Sequence, residues 1–155
     1  MKLKLIDVIE AIEFENDMLN HYYNKKTGII IYKEDPETSL YSADDIDKIC
    51  DLEEWEKQLV ENLYDLKVNQ QDYIKLPGNE EIDEVKLMID FCSSFSDISL
   101  NELLTTHNDH YKILHDVKNI IRDKDLINEW YDYREAVERD IAVEWCRENN
   151  IDYIE

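Results

Sequence analysis

Two glycines and two prolines are all that interrupt 155 residues, and this scarcity constrains the fold more than any other feature. Sandwiches and barrels need turn residues roughly every 8–12 positions. A chain whose breaks are Gly28, Pro36 and the Pro77-Gly78 pair is expected to run in helices instead. Its 155 residues fit a single globular domain, 1–155. The apolar share of 43% is enough to build a core despite the high charge.

The periodicities divide the chain. Asp7 and Glu10 suit the start of a helix carrying Val8, Ile9 and Ile12 on one face, running to about Met18. His21 to Tyr32 reads as a β-hairpin, with β-branched and tyrosine residues around a polar loop that Gly28 can close with a positive φ. The run Ile29 to Tyr32 lacks polar alternation, which suits a strand covered on both faces, or one whose second face meets a partner. Pro36 to Ser42 reads as a loop, and Ser42 as the cap of a short helical turn through Ile49. Asp51 and Glu54 offer another capping box, followed by Leu52, Trp55, Leu59, Leu63 and Leu66 at helical spacing. Tyr73 to Leu76 is a short strand ended by Pro77-Gly78. Further helices are predicted over about 80–95, around Leu100, Leu103 and Leu104, from Tyr111 through Ile121, and from Ile127 through Trp145. Asn149-Asn150 can end the last, before a closing strand at Ile151 to Ile154. The expected fold is α+β: mainly helical, with a small antiparallel sheet of the hairpin and the Tyr73–Leu76 strand, and a core anchored by Trp130 and Trp145.

The net charge of −21 bounds the partners. Nucleic-acid affinity comes largely from Lys and Arg displacing counterions, and anionic lipid repels acidic surfaces, so neither direct nucleic-acid binding nor membrane binding is expected. Residues 34–65 alone hold twelve Asp or Glu against Lys48 and Lys57, a local net of −10. Such a face is ordinarily solvated; the sharper reading of the charge is attraction to a basic partner, or mimicry of a nucleic acid. Cys50, Cys92 and Cys146 are odd in number, widely spaced and flanked by Ile49, Phe91 and Trp145. They read as reduced core residues rather than a disulfide framework or a zinc ribbon. The N-terminal MKLKLIDVIEAIEFEND gains acid before any long apolar run, unlike a signal peptide, and no window is apolar enough to span a bilayer. A cytoplasmic location is expected.

Searches for catalytic patterns return little. With Gly28 and Gly78 alone, there is no phosphate-cradling loop or dinucleotide fingerprint. His-Glu-x-x-His, Glu-x-x-His and Gly-x-Ser-x-Gly are all absent. One stretch, Thr106 to Asp116, carries three of the four histidines. On a helix His107 and His110 would share a face and could grip a metal, the basis of an alternative reading as a metal-assisted hydrolase. His115 would lie roughly 80° around and 12 Å along the axis from His107, too far to join them. The bland reading makes Asn108 or Asp109 a helix cap and leaves the histidines exposed. Arg134 and Arg139, amid carboxylates in the last helix, read as ion-pair partners, with anion binding the minor alternative. No cofactor is expected. Tyr22, Tyr23, Tyr32 and Tyr41 gather around the hairpin, where tyrosine serves either sheet packing or a binding interface. The sequence leaves the oligomeric state open.

Several blocks taken together resemble a known group. They are Val8 to Glu13, the Tyr-Asn-x-x-Thr-Gly hairpin, Tyr73 to Pro77, Ile82-Asp83-Glu84, Met88 to Phe91, Trp130 to Arg134, Ala142 to Cys146 and Asn149-Asn150-Ile151. In this order they resemble the bacterial proteins of uncharacterised protein family 0158, over nearly the whole chain. The resemblance implies a bacterial, cytosolic, single-domain protein and no established activity. The chain departs from that family at His107 to His110, where members carry a glycine- and arginine-rich turn. The leading functional expectation is a non-enzymatic interaction protein that binds another macromolecule.

Overall fold

The structure, a computed structural model, describes residues 2–14, 18–100 and 109–155. It is α+β and mainly helical, with the small antiparallel sheet that the turn pattern predicts. Its contacts cluster into two compact units, one of residues 1–79 and 142–155, the other of 80–141.

In the first unit, β1 (Leu3–Lys4) pairs in parallel with β5 (Tyr153–Ile154), the closing strand expected from its alternation. That pairing fixes where the chain enters α1 (Leu5–Glu13), which starts two residues before Asp7 and stops well short of Met18. Asp7 therefore sits inside the first turn, where its carboxylate complements the helix dipole without capping. Leu5, Val8, Ile9 and Ile12 form the buried face.

β2 (Leu19–Asn24) and β3 (Ile30–Glu34) make the hairpin, and β4 (Tyr73–Lys75) joins the other side of β2, giving the order β3-β2-β4 with both pairings antiparallel. Asn24 builds the turn. Its Oδ1 accepts from the Lys26 amide at 2.9 Å and the Thr27 amide at 3.1 Å, while its carbonyl accepts from Gly28 at 2.8 Å. Gly28 takes φ 74°, the left-handed conformation that a side chain would penalise.

Ser42 caps a 3-10 helix, Ala43–Asp51, with its Oγ accepting from the Asp44 amide and the Asp45 carboxylate accepting from the Ser42 amide. Because Asp51 is consumed as the last residue of that helix, it does not cap the next one. α2 (Glu54–Val68) is instead boxed by Glu53 and Glu56, the Glu56 Oε2 accepting from the Glu53 amide at 2.6 Å. Leu63 and Leu66 of the expected stripe are buried, with Val60 beside them, but Trp55 is 64% exposed, contrary to the stripe expected to include it. Cys50 is also exposed, since this 3-10 helix buries none of its residues; Cys92 and Cys146 are the core cysteines.

The second unit contains α3 (Glu84–Ser93), α4 (His110–Asp123) and most of α5 (Ile127–Glu148). Asp83 and Asp109 accept hydrogen bonds from the Lys86 and Tyr111 amides and cap α3 and α4. The cap at Asp83 starts α3 later than the expected residue 80. Of the short helix expected around Leu100, Leu103 and Leu104, Leu100 is buried in the core, and Leu103 and Leu104 lie outside the described residues. Phe91 centres the core, its ring 5.1 Å from Phe95, 5.5 Å from Trp130 and 5.4 Å from Tyr133, among Met88, Val117 and Ile121. Asp125 ends α4 at φ 57°, with Leu126 N donating to Ile121 O and Asp125 N to Arg122 O. Asn150 ends α5 in the same way at φ 53°, through Ile151 N to Cys146 O. These are the paired bonds of a left-handed helix stop, made here by Asp and Asn because glycine is so scarce.

The division between units falls within α5, so Trp130 and Trp145 do not anchor one core as expected. Trp130 packs on Phe91 in the second unit, whereas Trp145 packs on Tyr23 in the first, with ring centroids 6.4 Å apart. No helix among the described residues is long and apolar enough to cross a membrane.

Glu138 is buried at 2% exposure and held by Arg134, whose Nε donates to Oε1 at 2.8 Å while Nη1 donates to Glu84 at 3.0 Å. Removing one member of such a pair leaves an uncompensated buried charge. Arg134→Met should therefore cost about 3–5 kcal/mol in urea unfolding, and Arg134→Met with Glu138→Leu should recover most of it. A single variant as stable as the wild type would disprove a load on this pair.

Candidate functional site

The strand register sorts the hairpin side chains onto two faces. Leu19, His21, Tyr23, Ile30, Tyr32, Glu34 and Ile74 share one; Tyr22, Asn24, Ile31, Lys33, Tyr73 and Lys75 share the other.

The second face meets α2 through Asp65. Its Oδ2 accepts from the Tyr73 hydroxyl at 2.5 Å and from Asn24 Nδ2 at 3.5 Å, and its Oδ1 from Asn69 Nδ2 at 2.6 Å. These donors, Tyr73 first and then Asn69, hold the Asp65 carboxyl below its ordinary pKa. Burial, then the bond to Asp65, pushes the Tyr73 phenol up. Lys26 closes the loop side with an ion pair to Asp72 at 2.7 Å. Asn24, itself buried, thus shapes the turn with its oxygen and ties it to α2 with its nitrogen. This pins the hairpin and aims the first face.

On that first face Tyr23 is covered by Trp145, and His21 packs edge-on against Phe14 at the end of α1, with ring centroids 5.6 Å apart. Beyond them the face is open. Phe14 is 44% exposed, and Ile29 and Tyr32 are 50% exposed. Asp7, Glu10, Phe14, His21, Ile29 and Ile30 line one shallow depression of about 430 Å³. Tyr32 lies beside it, opposite His21 in the register. Partial burial lowers the His21 pKa, which favours the neutral ring near pH 7. The result is an apolar patch with an acidic rim. The unbroken Ile29–Tyr32 run foreshadows it: Ile31 is buried on one face and Tyr32 is half exposed on the other, so the strand is not covered on both faces by the described residues.

The four tyrosines do not form one surface. Tyr23 is core, Tyr22 turns to the opposite face, and Tyr32 alone joins the open patch. Tyr41 packs on Trp55 at 5.9 Å, and its hydroxyl donates to Glu56 at 2.5 Å. It also lines a second, smaller hollow of about 270 Å³, floored by Leu63 and Leu66 and edged by Lys33 and Lys67. Lys67 is already paired with Asp44 at 2.6 Å. Sequence reasoning missed Phe14, His21 and Ile29. Each lies in or beside the hairpin's expected neighbourhood, but only the packing of α1 on the sheet brings them together.

Of the metal candidates, His107 lies outside the described residues, and His110 is exposed at the first position of α4. Asp109 is the cap that the bland reading anticipates. His115 is exposed, with Nδ1 3.3 Å from both Asp116 and Asn119. Among the described residues no group of three or more His, Cys, Asp or Glu could hold a metal ion. Arg134 is engaged by Glu84 and Glu138, in keeping with an ion-pair role.

No family model, curated protein or solved structure matches the chain.

The Asp65 hub makes a prediction about pH. A carboxyl whose folded pKa lies below the unfolded value, here 3.8, stabilises fully above that value and loses its contribution as pH falls through the folded pKa. The stability gap between wild type and Asp65→Asn should be constant above about pH 5 and close on acidification, as read by urea unfolding across the pH range. A gap that widens in acid would contradict the assignment.

Proposed function

We propose that this chain is a small acidic interaction protein, non-enzymatic, which binds a protein partner through the open region beside Tyr32 on its three-stranded sheet. One observation carries the reading. Phe14 and Ile29 expose apolar surface in one depression, Tyr32 is half exposed opposite its His21, and Asp7 and Glu10 stand at its edge. Scattered apolar residues on a surface need no explanation, but a contiguous patch rimmed by charge is the form that binding surfaces take. The partner is basic. With a net charge of −21, the chain draws positive surfaces into encounter and repels nucleic acid and anionic membrane alike. The resemblance to uncharacterised family 0158 carries no activity and adds none here.

Phe14→Ser with Ile29→Ser removes the apolar centre while leaving the buried faces of α1 and β3 intact. Capture from lysate of the native host should recover the same partner with the wild type in repeated trials, and less as salt rises. The double variant should weaken that capture about tenfold or more, the loss ordinary for truncating a central apolar contact. Recovery that is equal for both proteins, or indifferent to salt, would overturn the reading.

A further inference from the structure

The two edges of the three-stranded sheet are treated differently. Asn24 N donates to Ile29 O, and Asp35 N donates to Met18 O. With this register, Ile31 and Lys33 turn their backbone groups inward to β2. Ile30, Tyr32 and Glu34 must then turn theirs outward, and among the described residues no strand lies beyond β3. At the other edge, β4 has its outward Lys75 carbonyl occupied by the Trp145 indole at 3.0 Å. A helix side chain thus blunts one edge, while the other lies open alongside the apolar patch.

We propose that β3 receives an extended segment of a basic partner as a fourth strand. This rests on the interaction reading above and specifies its mode. Main-chain bonds to Ile30, Tyr32 and Glu34 would hold the segment, while alternate apolar side chains extend the Ile30–Tyr32 stripe across the depression. Charge selects the occupant. Glu34 ends β3, and the next residues of the chain open the 34–65 segment of net charge −10, whose Asp44 lines one hollow with Lys33, a residue of the face opposite Tyr32. A strand alternating Val or Ile with Lys or Arg sets its apolar residues on the Tyr32 face and its cations on the opposite face, toward that acidic segment. A second copy of this chain would bring −21 against −21 and juxtapose the same acidic segments.

Three peptides test it on the full chain. They are acetyl-(Val-Lys)4-amide, the same peptide methylated on its four central backbone nitrogens, and acetyl-(Val-Glu)4-amide. The first should bind with an affinity that falls with salt, and should slow hydrogen exchange at the outward Tyr32 and Glu34 amides. The methylated peptide keeps its charge and side chains but loses the donors, and should bind about tenfold more weakly or worse. The glutamate peptide should not bind. Equal binding of the methylated peptide, or unchanged Tyr32 exchange at saturation, overturns strand addition. Tyr32 protection that grows with protein concentration and without peptide does so too, in favour of self-pairing. If Phe14→Ser with Ile29→Ser abolishes partner capture while Tyr32 exchange never responds, the surface stands and strand addition falls. If capture is also unaffected by that double variant, the interaction surface falls with it.

Discussion

A carboxylate satisfied by neutral donors holds the first unit together. Asp65 gathers a hydroxyl from β4, an amide from the hairpin turn and an amide from its own helix. The alternative, a buried cation, is costly in desolvation and scarce here, with 17 Lys and Arg set against 38 Asp and Glu. Most acidic groups of this chain must therefore be solvated or satisfied by something other than an ion pair. The same solution recurs in the turn at Asp35 and at the helix caps, where Asp45, Glu56, Asp83 and Asp109 each accept from a backbone amide. The acid excess thus serves local structure as well as the long-range field, because an acceptor near a helix N-terminus meets orphan N–H groups and a favourable dipole together.

Pinning the hairpin from one face leaves the other free to differ along its length. Asn24, Tyr73 and Ile31 face α2, and Trp145 covers Tyr23. Nothing among the described residues does the same for Tyr32 and Ile29, which are half exposed. Trp145 also occupies the edge of β4, so one residue of α5 both seals a face and blunts an edge. The open region is what remains after those contacts are made, and the Asp65 network ties the same hairpin to α2 from behind.

Much of the fold was legible because it rests on local rules. The helices of α3, α4 and α5 follow from apolar periodicity, the hairpin from its tyrosines, β-branched residues and Gly28, and the α5 stop from Asn149-Asn150. Boundaries moved where two local signals competed for one residue, as when Asp51 ended a 3-10 helix and the α2 cap passed to Glu53. Trp55 and Cys50 went wrong for a related reason. Hydrophobic type and neighbours give only a propensity for burial, and both lie where the 3-10 helix and its junction turn side chains to solvent.

The sequence by itself determined the helical character, the turn that closes the hairpin, the strand alternation and the acidic field, since each depends on residues close in the chain or on their sum. Only the tertiary structure decided that Tyr23 is core while Tyr32 is exposed, and that Trp130 and Trp145 serve different units. It also decided that Phe14 and His21 meet beside Ile29, and that one sheet edge is covered while the other is open. These are matters of which surfaces face one another across long stretches of chain. Alternation tells that neighbouring tyrosines point apart, but the face that is buried is set by the element that packs on it.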